Sequence, residues 1–441
     1  MSTDEKSDLN PEIIKNNLNA AITTAIKESA NYLPAKSTAE RNRKLSKEIM
    51  IKTLLGMDGG SLNKELRRLG LDVSASAFSQ RRKAIDPRMC EEVFTNFNEN
   101  RPITNTYHGY EIIAFDGSTI RIPTTDKNSD TFVYDGNDGY SALHLNAMYS
   151  VSNQEFIAAT IQPQKKMNEP EALRYLLSWH NFKTPIILLA DRGLESFNLL
   201  AWGCKVKGLD MVVRVRNNGM KVIKDLPMKP LDTTVSCYIS TRQDNLSKQL
   251  GAHFIQTGSK KGKTNSPKTK ISAWDWESPY KLEFRVVRYQ LEENGSYYTI
   301  ATTLPKEHFS AEDIIYLYHL RWSEEIAFRT IKSTWNLLNL HGKSPSFAEQ
   351  EIWCALTMHN FCSRIVSQIK FGKNDNQHPR MVNYKMASTI CKEFFRDKSG
   401  SVRKDILKEI AKYTEVVREG RSAPRNLRTK GVTPFVYRIA A

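Results

Sequence analysis

Near residue 110 the spacing of apolar side chains changes from helical to strand-like, and few folds accommodate both halves of such a chain. Upstream, Asn10-Pro11 opens a segment with Ile13, Ile14, Leu18, Ala21, Ile22 and Ile26 on one helical side, and a second helix is expected over 40–56. Downstream, YEIIAFDGSTIRIP (110–123) is apolar up to Asp116 and then alternates, and 143–164 reads as a hairpin. PIILLAD (185–191) is a continuous apolar run, the kind a sheet buries on both faces, and MVVRVR (211–216) follows. Helical stretches at 169–180 and 196–208 lie between them. Three strands followed by helix–strand–helix–strand predict a mixed α/β sheet. Residues 217–305 break this rhythm. They contain a basic loop (257–270) and two strand-like runs within 282–304 that flank Asn294-Gly295, a hairpin signal. Helix returns at 310–338, and 345–441 reads as helices plus a basic tail, RSAPRNLRTKG (421–431).

The charge balance narrows the partners. Lys and Arg number 64 against 48 Asp and Glu, a net +16 over 441 residues. Such a surface favours polyanions, nucleic acid first, although ribosomal and anionic-membrane surfaces fit charge alone. No window reaches about 18 consecutive apolar residues, so no membrane span is expected. The start MSTDEKSDLN has no basic-then-apolar leader pattern. Six scattered cysteines without a CxxC pair argue against a zinc site or disulfide scaffold, and a reducing cytoplasm is the expected compartment.

Residues 61–85 predict two short helices around Gly70, the second capped by Ser74 or Ser76 and ending in Gln80-Arg81-Arg82-Lys83. This reads as a helix-turn-helix with Arg81, Arg82 and Lys83 as candidate DNA contacts; a helical hairpin with a solvated basic face is the plainer alternative.

Asp116 and Asp191 each stand where an apolar run ends. A carboxylate there is costly unless paired or metal-bound, and parallel strands collect ligand sites at their carboxyl ends. Either Asp could instead start a turn, as Asp116-Gly117-Ser118 and Asp191-Arg192-Gly193 both allow. The segment 310–338 supplies a third carboxylate. At about 100° per residue, Tyr318, Arg321, Glu325 and Lys332 fall within roughly 60° of one another on one helix face. Glu324 is adjacent, but register favours Glu325.

The spacing Tyr-x2-Arg-x3-Glu-x6-Lys, after two aspartates in this order, resembles the signature of bacterial insertion-sequence transposases of the DDE type, the cut-and-paste subgroup. AFDGSTIRIP, LLADRGLES, YHLRWSEEIAFRTIK, QEIWCALTMHNFCSRIV and APRNLRTKG are similar to that family as well. The likeness is strong over 110–210 and 297–368 and weaker elsewhere.

The resemblance implies a ribonuclease H-like catalytic core interrupted by a β-rich insertion. Residues 1–100 would form a helical DNA-end-binding domain, 105–216 the first part of the core, and 217–305 the insertion. Residues 306–345 would complete the core with its catalytic helix, leaving 346–441 as a helical dimerisation region with a basic DNA-contacting tail. Asp116, Asp191 and Glu325 would hold two Mg²⁺ ions, with Mn²⁺ expected to substitute; three carboxylates suit two hard cations. Tyr318, Arg321 and Lys332 would hold the element-end strand. Trp274 or Trp276 would stack a flipped base during hairpin formation. The partners would be the element's terminal inverted repeats, target DNA and a second copy of the chain, at the nucleoid when DNA-bound. Two alternatives remain: a two-metal nuclease without strand transfer, and a non-catalytic DNA-binding descendant.

Overall fold

The computed structural model describes residues 10–33, 44–136, 138–179, 181–257, 273–290, 295–370, 380–397 and 405–416. Most of the basic loop 257–270, the Asn294 turn residue and the basic tail 421–431 lie outside them. Five helices precede the sheet: α1 (Pro11–Glu28), α2 (Lys47–Gly56), α3 (Leu62–Arg68), α4 (Ala75–Arg82) and α5 (Pro87–Glu99). Asn10, Ser46, Ser74 and Asp86 cap α1, α2, α4 and α5 by accepting from first-turn amides, and Pro11 and Pro87 fill early helical positions. Gly70, at φ +67°, makes the left-handed turn between α3 and α4.

The strands are β1 (Glu111–Ile122), β2 (Phe132–Asp135), β3 (Asp138–Ser150), β4 (Glu155–Pro163), β5 (Ile186–Ala190), β6 (Leu209–Val215), β7 (Leu231–Ser240), β8 (His253–Phe254), β9 (Tyr280–Gln290) and β10 (Tyr297–Thr302). One ten-stranded sheet runs β2-β3-β1-β5-β6-β10-β9-β7-β8, with β4 also on β3. β1 is antiparallel to β3 and parallel to β5, and β5 is parallel to β6. The helix α6 (Glu169–Trp179) leads into β5, and α7 (Phe197–Lys205) connects β5 to β6. Ile187 and Leu189 pack into one apolar layer while Ile186, Leu188 and Ala190 pack into another, which is why this run shows no alternation.

The β-rich segment after residue 217 does not stand apart. β10 pairs antiparallel with β6, so β7, β8, β9 and β10 prolong the core sheet. The helices after it are α8 (Ala311–Leu320), α9 (Trp322–Ser333), α10 (Pro345–Val366), α11 (Tyr384–Arg396) and α12 (Ile406–Ala411).

The described residues bear on two of the expectations. The α10 residues Ile352, Trp353, Leu356, Phe361 and Ile365 are 0–4% exposed, so the helix expected to meet a second copy is filled by its own chain. A helix buried on every side is a core helix, and its polar residues, such as Gln350, Glu351 and Arg364, are hydrogen-bonded inside. Residues from α1–α5 share that core with α10, α11 and β3, rather than forming a detached unit. Three buried ionic networks knit it. Arg364 meets Glu155 at 2.9 Å, the Phe97 carbonyl and Asn98. Arg101 grips Glu111. Arg82 donates to Gln350, Glu351 and the Phe347 carbonyl at 2.6–2.9 Å.

Candidate active site

The parallel register of β1 and β5 ends at Phe115 opposite Ala190, so the next residue on each is Asp116 and Asp191. β1 does not end there. It continues antiparallel to β3 as far as Ile122, with Asp116 opposite Ala147. Asp116-Gly117-Ser118 is therefore extended strand rather than a turn. Gly117 has another purpose: a Cβ there would collide with the side chains of His144 and Glu169. After Asp191 the chain does turn, through a 3-10 turn at Arg192–Leu194 with the Leu194 amide donating to the Asp191 carbonyl at 2.9 Å.

The signature segment is two helices, not one. α8 and α9 meet at Arg321, where the Arg321 and Glu324 amides each bond three residues back, at 3.2 and 3.1 Å. Three of the four signature residues still converge on the aspartates. The Tyr318 hydroxyl donates to Asp191 Oδ1 at 3.2 Å. Arg321, 5% exposed, donates to Glu325 Oε1 at 2.8 Å and lies 3.6 Å from Asp116 Oδ2. Its Nε is buried without a partner among the described residues. Lys332 lies two turns beyond Glu325 along α9, and burial pulls its pKa down. Glu325 keeps 36% of its side chain exposed, whereas Glu324 is fully buried. Burial, then the Asp116 charge, pushes Glu324 well above the usual carboxylate range.

Like charges crowd this cleft. Burial raises the pKa of Asp116; the Gly117 amide and Arg321 oppose the shift, and Glu169 and Glu325 add to it. Burial and then the Asp191 charge raise Tyr318. Burial works against the charge on Arg321, but the bond to Glu325 and the surrounding negative charge hold it protonated. As the side chains stand, no group of three or more His, Cys, Asp and Glu among the described residues converges closely enough to hold a metal ion. The guanidinium of Arg321 lies between Asp116 and Glu325, the position a cation would take. Oxygen-only donors in a cleft with excess negative charge fit hard divalent ions once that guanidinium gives way.

The remaining sequence candidates divide. Of the basic trio, Lys83 is exposed and Arg81, half-buried, donates to the Leu45 carbonyl at 3.2 Å. Arg82, 2% exposed, is spent on α10 and is corrected to a structural residue. Trp274 and Trp276 do not share a strand face, because 273–279 is irregular backbone. Between them Asp275 accepts from Arg174, Asn198 and Trp202, the last two at 2.8 Å, pinning this loop to α6 and α7. Trp276 packs edge-on to Trp202 at 5.4 Å. Trp274 borders a groove of about 960 Å³ that Phe254, Arg174, Arg192 and Arg216 also line, beside the Asp191 turn. Glu169, His144 and Asp275 were not singled out by sequence, since no local motif marks them.

A strand pair thus presents two aspartates beneath the helical segment that carries Arg321 and Glu325. The transposase DDE domain family matches residues 107–361, more than half of the chain, and the chain belongs to that family. It is 36% identical over 72 residues to the putative transposase InsL for insertion sequence element IS186A of Escherichia coli strain K12, covering 16% of this chain and 20% of that protein. The transposase for insertion sequence element IS421 of Escherichia coli matches at 36% over 72 residues, 19% of its length. The matched stretch thus spans about a fifth of these relatives. Among solved structures, a piggyBac transposase synaptic complex with hairpin DNA is similar at 10% identity and a TM-score of 0.44, covering 96% of this chain and 88% of that one. Among the described residues no helix is long and apolar enough to cross a membrane.

Proposed function

We propose that this protein is a transposase that excises an insertion sequence and joins it to target DNA at the Asp116–Asp191–Glu325 cleft. The observation that carries the reading is the docking of the signature helices: Tyr318 bonds Asp191 while Arg321 bridges Asp116 and Glu325. The strand order β4-β3-β1-β5-β6, three antiparallel strands followed by two parallel ones, supports a ribonuclease H-like core.

Asp116, Asp191 and Glu325 would hold two divalent ions, Mg²⁺ or Mn²⁺, which when bound supply activation of the attacking oxygen and stabilisation of the leaving one. The other roles belong to the chain itself. Arg321, held by Glu325 in the free protein, turns its donors to a DNA phosphate when the carboxylates have other cations. Its unpartnered Nε leaves a donor for that purpose. Tyr318 orients Asp191 and the strand to be cut. Lys332, half-buried two turns beyond Glu325, holds a phosphate farther along α9. Cut-and-paste excision through a hairpin is the favoured route, with Trp274 at the arginine-lined groove as the stacking residue. Arg81 and Lys83 serve the terminal repeats. A dimer on paired ends would use surfaces other than α10, and the protein would work in the cytoplasm at the nucleoid.

The test is incubation of the full chain with Mg²⁺ and the DNA flanking its own gene. Site-specific 3′ nicks followed by joining to a second duplex are expected. Nicks without joining would identify a nuclease, and no nicks with intact binding a non-catalytic DNA-binding protein.

A further inference from the structure

We infer that Glu169 is a fourth carboxylate of the metal site, oriented by His144 as a positioning residue; this rests on the metal-dependent reading above. Glu169 opens α6, outside the signature segments, yet its carboxylate reaches the chain just after each aspartate, at Gly117 and Gly193. Its Oε1 accepts from His144 Nε2 at 3.0 Å and presses against Gly117, the residue after Asp116. Its Oε2 lies 3.9 Å from where a Cβ on Gly193 would stand, two residues after Asp191. Gly117 is thus the vacancy that lets Glu169 reach the cleft. The electrostatics agree with this placement, since Glu169 raises the Asp116 pKa more than Glu325 does.

His144 fixes the arrangement. It is 4% exposed and paired across β1 and β3 with Thr119, whose hydroxyl lies 3.3 Å from Nδ1. With the Thr119 hydroxyl donating to Nδ1, the Nε2 proton points at Glu169 and leaves Oε2 open toward the cleft. A second-sphere hydrogen bond that orients a ligating carboxylate is a common feature of metal sites.

Electrostatics gives the physical reason. Arg321 is the cation shared by Asp116 and Glu325, and Glu169 adds its negative charge on the Asp116 side of the cleft. A further carboxylate adds a hard oxygen donor and negative charge, both of which favour divalent cations. A purely structural Glu169 would instead serve as a first-turn acid for α6 and a partner for His144, and would have no reason to lie against Gly117.

The experiment titrates the full chain with Mn²⁺ alone, followed by electron paramagnetic resonance, for wild type, Glu169→Gln, His144→Gln and Asp116→Asn, with the thermal transition of each recorded. Glu169→Gln should weaken Mn²⁺ binding at least about tenfold and His144→Gln by less, the range that loss of a supporting metal contact produces, without shifting the unfolding transition. Unchanged Mn²⁺ binding in Glu169→Gln beside a loss in Asp116→Asn overturns the inference and leaves the proposed function intact. Unchanged binding in both overturns both. If Glu169→Gln does not fold, Glu169→Cys decides through its metal preference, because thiolate favours softer ions. Nicking should then be lost with Mg²⁺ and return with Cd²⁺. Equal losses with both ions overturn the inference.

Discussion

The helical half of this molecule and its acidic cleft treat buried charge in opposite ways. In the helical half each buried arginine is answered: Arg364 by Glu155, Asn98 and the Phe97 carbonyl, and Arg82 by Glu351, Gln350 and the Phe347 carbonyl. In the cleft Asp116 and Glu325 share one guanidinium, and burial first, then neighbouring carboxylates, raises the pKa values of Asp116 and Glu324. The first arrangement stabilises the fold. The second leaves a charge imbalance that only a ligand relieves, which is how perturbed acidity comes to mark functional sites.

The sharpest way to break this comparison is to unpair a charge in the helical half. Arg364→Ala strands Glu155, which is 3% exposed. It should cost about 3–5 kcal/mol in denaturant unfolding. A loss under about 1 kcal/mol would mean that the network is not structural.

A smaller effect comes from His359, buried against Phe156 and Tyr384, whose pKa burial lowers to about 4 from 6.5. The folded chain resists protonating this ring and the unfolded chain does not. Its contribution is therefore complete above pH 6.5 and is lost as pH falls from 6.5 toward 4. The loss approaches about 3 kcal/mol, at roughly 1.4 kcal/mol per pH unit. His359→Gln should flatten the difference in unfolding free energy between pH 7 and pH 4, and a parallel pair of pH curves would refute it.

The smallest effect concerns DNA. Lys83→Ala and Arg81→Ala should each lower the slope of log affinity against log salt by about 0.9. Arg82→Ala should act through unfolding instead. Slopes unchanged by the first two changes would move DNA contact away from α4.

What the sequence made legible follows from how locally each feature is written. Asp116 and Asp191 could be read because continuous apolar runs end at them, and Tyr318, Arg321 and Glu325 because helical period and fixed spacing are local. The break at Arg321 was not legible, as both sides keep helical dihedrals. Glu169 and His144 meet only through strand register and helix entry, which no motif encodes. Arg82 looked like its neighbours in a basic run, but α4 turns that one side chain toward α10. The β-rich segment was visible, while its continuity with the core sheet depends on β10 pairing with β6 across more than 80 residues. The apolar residues of α10 were visible in sequence, but the burial of its polar ones, Gln350, Glu351, Asn360 and Arg364, depends on partners distant in the chain.

The most direct test sets stability against chemistry in the cleft itself. Asp116→Asn, Asp191→Asn and Glu325→Gln should each abolish Mg²⁺-dependent nicking of the element ends. In metal-free buffer each should unfold within about 1 kcal/mol of wild type, since neutralising a crowded carboxylate relieves repulsion. A variant that nicks at the wild-type rate, or one that fails to fold as Arg364→Ala does, would contradict the account.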